Sequence, residues 1–302
     1  MFEKERTALL DFMETSQKTQ KQLSAETGLS SSVISQFLKD GYPGDNEQVA
    51  NTISKYLSIA IARLNAPRQN DFYKDLKNTQ DVLFTCHYAH LDNDITLVAG
   101  DTGAGKTTAL RFYEENNAGV IMVTANACTS SASAVLRLIA ESVCRNVPAG
   151  REKLMKVVID ALAGTNKLLI IDEADHLSLK ALQAIRNIND LAKVGVVLSG
   201  NRKLYNEILS SPKGYPLDQL KTRIIVRTLV INDYSVEEIK ALFPLSDTAC
   251  LAFLSKLSSD ESLRTAKKIF AIASAAAKAK NQALSIALLK DTKKQFLGGF
   301  SI

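Results

Sequence analysis

"LVAGDTGAGKTTALRFY", residues 97–113, decides how most of this chain folds. The apolar run from Leu97 to Ala99 enters a glycine-rich loop, and helical spacing resumes after it, so the stretch predicts strand, loop and helix in that order. Its letters satisfy G-x-x-x-x-G-K-[ST] through Gly100, Gly105, Lys106 and Thr107. Such a loop, here Gly100, Asp101, Thr102, Gly103, Ala104 and Gly105, lets backbone N–H groups wrap a phosphate closely. The helix N-terminus adds partial positive charge, Lys106 reaches the β- and γ-oxygens, Thr107 ligates Mg²⁺, and Thr108 lies beside it in the first turn. The expected cofactors are therefore ATP and Mg²⁺.

Working outward, apolar runs at Ile95–Ala99, Val120–Thr124, Leu168–Ile171, Val194–Ser199 and Ile224–Leu229 alternate with helical patterns, which predicts an α/β fold with a parallel sheet and crossover helices. The third run continues as "LLIIDEADHL" (168–177), delivering two acids at the carboxyl end of a buried strand. Asp172 suits the magnesium side of a phosphate site, and Glu173 can deprotonate an attacking water. Asp175 and His176 complete the four letters that name a class of helicases. A helicase of that class needs a second α/β domain, whereas the pattern after residue 234 is helical to the end, so the letters mislead. "VGVVLSGN" (194–201) ends in Asn201, whose amide can hold water or the γ-phosphate, or simply form a turn. Arg223 before the last strand can serve a neighbouring subunit as a finger, and Arg264 at the start of a later helix can close over the nucleotide; each reads equally well alone as a surface arginine.

The 302 residues, 46% hydrophobic, suffice for one large α/β core plus small satellites. The organisation expected is a helix-turn-helix domain at 1–65, a linker at 66–80, the nucleotide core at 81–233 and a helical lid or tail at 234–302. A formal charge of +5 is compatible with nucleic acid without proving it. Cys86, Cys128, Cys144 and Cys250 have no paired spacing and read as reduced core thiols. "CHYAH" (86–90) offers three candidate zinc ligands and no completing spacing. Neither a signal peptide nor a membrane-length apolar run is visible, which points to a cytoplasmic protein with no membrane partner.

"TQKQLSAETGLSSSVISQFLKDG" (19–41) carries a helix-turn-helix pattern, with Leu23, Ile34 and Phe37 turned inward and Gly28 at the turn. Ser31, Ser32, Ser35, Gln36 and Lys39 face outward, as groove and phosphate contacts would, although acids and bases nearly cancel across the domain and a protein-interaction module stays open. Further basic residues, Arg145, Arg151, Lys153 and Lys156, and the tail lysines from Lys267 to Lys294, are DNA-tracking surfaces or merely solvated helix faces.

Taken together, "GLSSSVISQFLKDGYPGDNEQVA", "GDTGAGKT" and "LIIDEADHL" followed by "VGVVLSGNRKLY" resemble the B proteins of Mu-like transposing phages, target-selecting AAA+ ATPases. The resemblance covers nearly the whole chain. It implies an ATPase that binds double-stranded DNA with little sequence preference, forms helical filaments in ATP and activates a cognate transposase. Matched by motif, it gives Lys106 and Thr107 to the nucleotide loop, Asp172 and Glu173 to magnesium and water, Asn201 to a first sensor, Arg223 to the finger and Arg264 to a second sensor; "ESLR" (261–264) departs from the small-residue lead-in of the family. Two other readings share these motifs: a helicase loader or replication initiator, and a repressor whose ATP site is a switch.

Overall fold

The computed structural model describes residues 2–65, 73–215 and 217–297. The chain divides into two units, Met1–Asp71 and Phe72–Ile302. The first holds α1 (Glu3–Ser16), α2 (Gln20–Thr27), α3 (Ser31–Leu38) and α4 (Asn46–Asn65). Local chemistry sets the two central helices: Thr19 and Gln22 form a reciprocal capping box at the start of α2, Gly28 ends it in left-handed conformation at φ 75°, and the Ser30 hydroxyl accepts from Val33 N to start α3. Leu9, Phe12, Leu23, Ile34, Phe37 and Ile53 close a small core. Each such side chain contributes roughly 1.5–3 kcal/mol when buried, which makes this core the reason α2 and α3 hold a fixed angle.

The second unit begins with α5 (Lys77–Asp92), then alternates β1 (Ile95–Gly100), α6 (Lys106–Asn116), β2 (Val120–Thr124), α7 (Ala132–Val143), α8 (Arg151–Leu162), β3 (Leu168–Asp172), α9 (Leu179–Ala192), β4 (Gly195–Gly200), α10 (Arg202–Leu209), α11 (Asp218–Lys221) and β5 (Ile224–Val230). The strands match the five apolar runs within a residue or so. All pair in parallel in the order β2-β3-β4-β1-β5. Alternation along β1 feeds two layers: Ile95, Leu97 and Ala99 join the core under α7, α8 and α9, whereas Val98 joins the core under α5 and α6. Four helices follow, α12 (Val236–Leu242), α13 (Thr248–Asp260), α14 (Leu263–Ala279) and α15 (Ile286–Leu297), around a core of their own that includes Phe243, Leu254 and Ile269.

Two expectations need correction. Residues 66–72 of the expected linker lie outside the described residues, but 73–80 are no tether: Leu76 is buried in the core of the last four helices, Lys77 N donates to Glu238 Oε1 at 2.8 Å, and α5 starts at Lys77. The polar first turn of α5 hid the start of a helix whose later residues Val82, Cys86 and Ala89 recur at helical spacing and are buried. Of the cysteines, Cys86 and Cys250 are core thiols, but Cys128 is exposed and Cys144 only half-buried. Burial pushes the Cys86 thiol up to about 12. Among the described residues, no helix is long and apolar enough to cross a membrane.

Candidate active site

In a parallel sheet all strands end along one edge, and the order found here sets β4 between the loop strand β1 and the acid strand β3. Three strand ends thus converge on one cleft of about 250 Å³, lined by Thr102, Gly103, Gly105, Lys106, Thr107, Thr108, Asp172, Glu173, Asp175, Gly200, Asn201 and Arg264. Of the residues the sequence nominated for nucleotide chemistry, Gly100, Asp101, Ala104 and Arg223 do not line it and all the others do.

Lys106 Nζ lies across the loop and donates to the carbonyl oxygens of Gly100 and Asp101, at 3.0 and 2.8 Å. Burial lowers its pKa below the ordinary lysine value, against the pull of Asp172 and Glu173. Thr107, one residue on, donates its hydroxyl to Asp172 Oδ2 at 2.7 Å, and Ser199 on β4 donates to the other carboxylate oxygen at 2.8 Å. Asp172 is 2% exposed, and these two hydroxyls satisfy a charge that would otherwise be costly to bury. A threonine hydroxyl beside a carboxylate is the hard-oxygen donor set that Mg²⁺ prefers, so Thr107 and Asp172 fit that ion.

Glu173 follows in left-handed backbone at φ 55° and is exposed. That conformation costs a non-glycine residue about 1–2 kcal/mol, and it swings the chain out of β3 into the short turn Ala174–His176. Asn201 caps α10, its Oδ1 accepting from Leu204 N at 3.1 Å, while its Nδ2 donates to Asp175 Oδ2 at 2.7 Å. Glu173, Asp175 and His176 bring their ligand atoms within 4.8 Å of one another, but Asp175 is already engaged with Asn201.

Asp101 turns away from the cleft. Its carboxylate pairs with Arg202 on α10 and accepts from Asn232 N at 3.0 Å, and the Arg202 guanidinium holds its pKa below the ordinary carboxylate value. Asn232 in turn donates Nδ2 to Thr102 O at 3.2 Å. Sequence reasoning missed Arg202 and Asn232, whose partners lie over a hundred residues away. Arg264 is the second residue of α14, and Gly103 makes its approach possible: at φ 74°, a Cβ there would sit 3.1 Å from the Arg264 Cβ and 3.0 Å from Ser262.

Arg223 stands elsewhere. Ile224 of β5 pairs with Ile95 of β1, so Arg223 lies at the start of the strands, a strand's length from its own phosphate loop. Its side chain is 53% exposed and pairs with Asp190 at 2.6 Å. In the first unit Ser31, Ser32, Gln36 and Lys39 are exposed and Ser35 half-buried, while Arg6 and Lys18 are paired with Asp40 and Glu26. Arg145, Arg151, Lys153 and Lys156 are exposed on or before α8, because Leu154 and Val158 take its inward face. A larger hollow of about 580 Å³ beside them mixes Arg151 and Lys156 with Glu152 and Asp160 and contains no phosphate-loop residue. Of the tail lysines, Lys267 lies over the Tyr73 ring and Lys293 pairs with Glu261.

A family model described as an AAA domain matches residues 90–208, from the end of α5 to α10. Among solved structures, NtrX from Brucella abortus in complex with ATP aligns with a TM-score of 0.48 at 12% identity, covering 84% of this chain and 68% of that one. The ATP-dependent target DNA activator B proteins of Escherichia phage Mu and Escherichia phage D108 are each 32% identical over 240 residues, covering 78% of this chain and 76% of theirs. The Mu-like prophage FluMu DNA transposition protein B of Haemophilus influenzae is 31% identical over 201 residues, covering 66% of this chain and 70% of that protein. Likeness at that level, running through the phosphate loop and far beyond it, makes this chain a member of the transposition protein B family of Mu-like phages.

Proposed function

We propose that the protein is a Mg²⁺-dependent ATPase that binds double-stranded DNA with little sequence preference, lines up along it as an ATP-linked helical homo-oligomer, and activates a cognate transposase on the DNA it covers. The observation that carries this is the hydrogen-bonded set Thr107–Asp172–Ser199 beside Lys106, in a chain whose relatives are named ATP-dependent target DNA activators.

In this reading the loop N–H groups and Lys106 bind the β- and γ-phosphates, and Thr107 and Asp172 hold magnesium, which neutralises charge on the phosphates when bound. Glu173 accepts the proton of the attacking water, and Arg264 reaches the nucleotide from the lid. Arg223 cannot serve its own site across the sheet, so it serves the next copy's, and nucleotide state then governs contact between copies. Ser31, Ser32, Ser35, Gln36 and Lys39 touch the duplex with few charges, and Arg145, Arg151, Lys153 and Lys156 add phosphate contacts. A row of copies multiplies these weak contacts through effective concentration.

Electron microscopy with duplex DNA, comparing ATP, ADP and no nucleotide, tests the whole scheme: continuous coverage is expected in ATP alone. A charge-assisted bond is worth about 1.5–3 kcal/mol, so Lys106→Ala should weaken ATP-dependent DNA retention by roughly ten- to a hundredfold. Equal retention by the wild type with and without ATP would refute the scheme.

A further inference from the structure

Asp175, the last letter of the "DEAD" run, has no part in the chemistry assigned above, yet it lines the same cleft. Its two oxygens have specific work: Oδ1 accepts from the main-chain N–H of Asn201 at 3.2 Å and Oδ2 from Asn201 Nδ2 at 2.7 Å. An asparagine amide has two ends alike in size and opposite in hydrogen-bonding sense, so its neighbours decide which way it faces. At Asn201 they allow one orientation. The carboxylate demands the NH₂ end, and the Leu204 N–H, 3.1 Å from Oδ1, demands the oxygen. Reversal would set oxygen against carboxylate and NH₂ against N–H. Nδ2 carries two hydrogens, and Asp175 takes one of them.

Gly200 gives an independent sign that the approach of Asp175 is built in. A Cβ at Gly200 would lie 2.9 Å from Asp175 Oδ1, 3.3 Å from its N and 2.7 Å from Leu204 Cδ2. β4 therefore ends in the one residue that lets the turn after β3 close against it. The left-handed backbone of Glu173 performs the matching service from the other side, turning the chain so that Asp175 faces β4.

We propose that Asp175 is a positioning residue that fixes the Asn201 amide with an N–H toward the cleft, making Asn201 a hydrogen-bond donor to the terminal phosphate of a nucleoside triphosphate. The assignment rests on the nucleotide-binding reading above and sharpens it: Asn201 senses the γ-phosphate and leaves acceptance of water's proton to Glu173. It also gives the four-letter coincidence a physical role without a helicase. Because both carboxylate oxygens are turned to donors at the junction of β4 and α10, a negative charge is tolerated near phosphates that would otherwise repel it.

The test uses full-length protein and compares binding of a non-hydrolysable ATP analogue with binding of ADP, in magnesium. Asp175→Asn should lose about tenfold of the triphosphate-over-diphosphate preference with ADP affinity unchanged, and turnover should fall with it while KM changes little. Asn201→Ser keeps an α10 cap but has no amide, so it should lose the same preference, and the double variant should lose no more than either single. Gly200→Ala, checked for folding by thermal melting, should reproduce Asp175→Asn. Losses that multiply in the double variant, or a preference untouched by Asp175→Asn, would overturn the assignment. Wild-type protein that binds neither nucleotide would instead sink the underlying reading as well, a result distinguishable from both.

Discussion

The two ends of the sheet differ in kind. At the carboxyl ends of the strands, polar side chains lock one another in place: Thr107 and Ser199 on Asp172, Asn201 on Asp175, Arg202 on Asp101. At the amino ends the half-exposed Arg223 pairs with Asp190, and apolar side chains meet solvent, with Leu91 66% exposed, Leu191 62% and Ile225 67%. These three sit at the last turn of α5, the last turn of α9 and the second residue of β5, all at the start of strands. One end is a preorganised site without an outside cation; the other supplies a cation and uncovered apolar surface. Under the proposed function the two ends are halves of one site, joined when copies stack.

Separating the halves gives the largest expected effect. Arg223→Ala should lower ATP turnover by about a thousandfold, the low end for an arginine finger, with nucleotide affinity nearly unchanged. Stability should survive, because Arg186 still lies 3.6 Å from Asp190. Glu173→Gln should cost on the order of a hundredfold in turnover while DNA binding in ATP persists. The first variant retains an intact cleft and the second an intact arginine, so an equal mixture should hydrolyse ATP faster than either alone. A mixture no faster than the mean of its parts would show that Arg223 does not act in a neighbour.

The carboxyl end was largely legible in the sequence and the amino end hardly at all, for a physical reason. A phosphate loop is contiguous, so Gly100 to Thr108 can be read in one window, and apolar runs announce the strands that bear Asp172 and Asn201. The two short helices α2 and α3 were legible for the same reason, since Gly28 at the turn and the buried Leu23, Ile34 and Phe37 all fall within one window. Asp175 with Asn201, 26 residues apart, and Arg202 with Asp101, 101 apart, become visible only once parallel pairing brings strand ends together. α5 was obscured differently: its first turn is polar, and a linker reading extended over it. Exposure of Leu91, Leu191 and Ile225 could not be read at all, because an apolar letter at a strand or helix end looks the same whether or not a neighbour covers it.

That uncovered surface supplies a smaller test of the same comparison. If copies stack on the amino ends, Leu191→Ser and Ile225→Ser should each weaken ATP-dependent assembly on DNA by about fivefold, the equivalent of ~1 kcal/mol of lost apolar burial. Monomer melting should move little, since both residues are already mostly exposed. Sedimentation in ATP with duplex DNA measures the first, and a thermal scan without nucleotide the second. Unchanged assembly in both variants would place the contact between copies elsewhere and leave Arg223 without its apolar frame.

The smallest effect belongs to the other arginine, Arg202, and it concerns stability more than chemistry. Arg202 first, and the Asn232 N–H second, favour the ionised form of Asp101 and depress its pKa from 3.8. A carboxyl depressed on folding contributes stability that is present above its unfolded value and lost as the pH falls through the lower folded one. Arg202→Ala should therefore lower the melting temperature slightly and by a constant amount from pH 7 to about 5, and the difference from wild type should close as the pH drops below 3.8. Added salt should shrink it throughout, because the Arg202 side chain is 52% exposed. A difference that instead grew on acidification would mean that Arg202 serves another partner. The two arginines are equally exposed and each pairs with an aspartate, but one aspartate belongs to the phosphate loop, which Arg202 steadies, while the other, Asp190, lies on α9 at the far end of the same sheet.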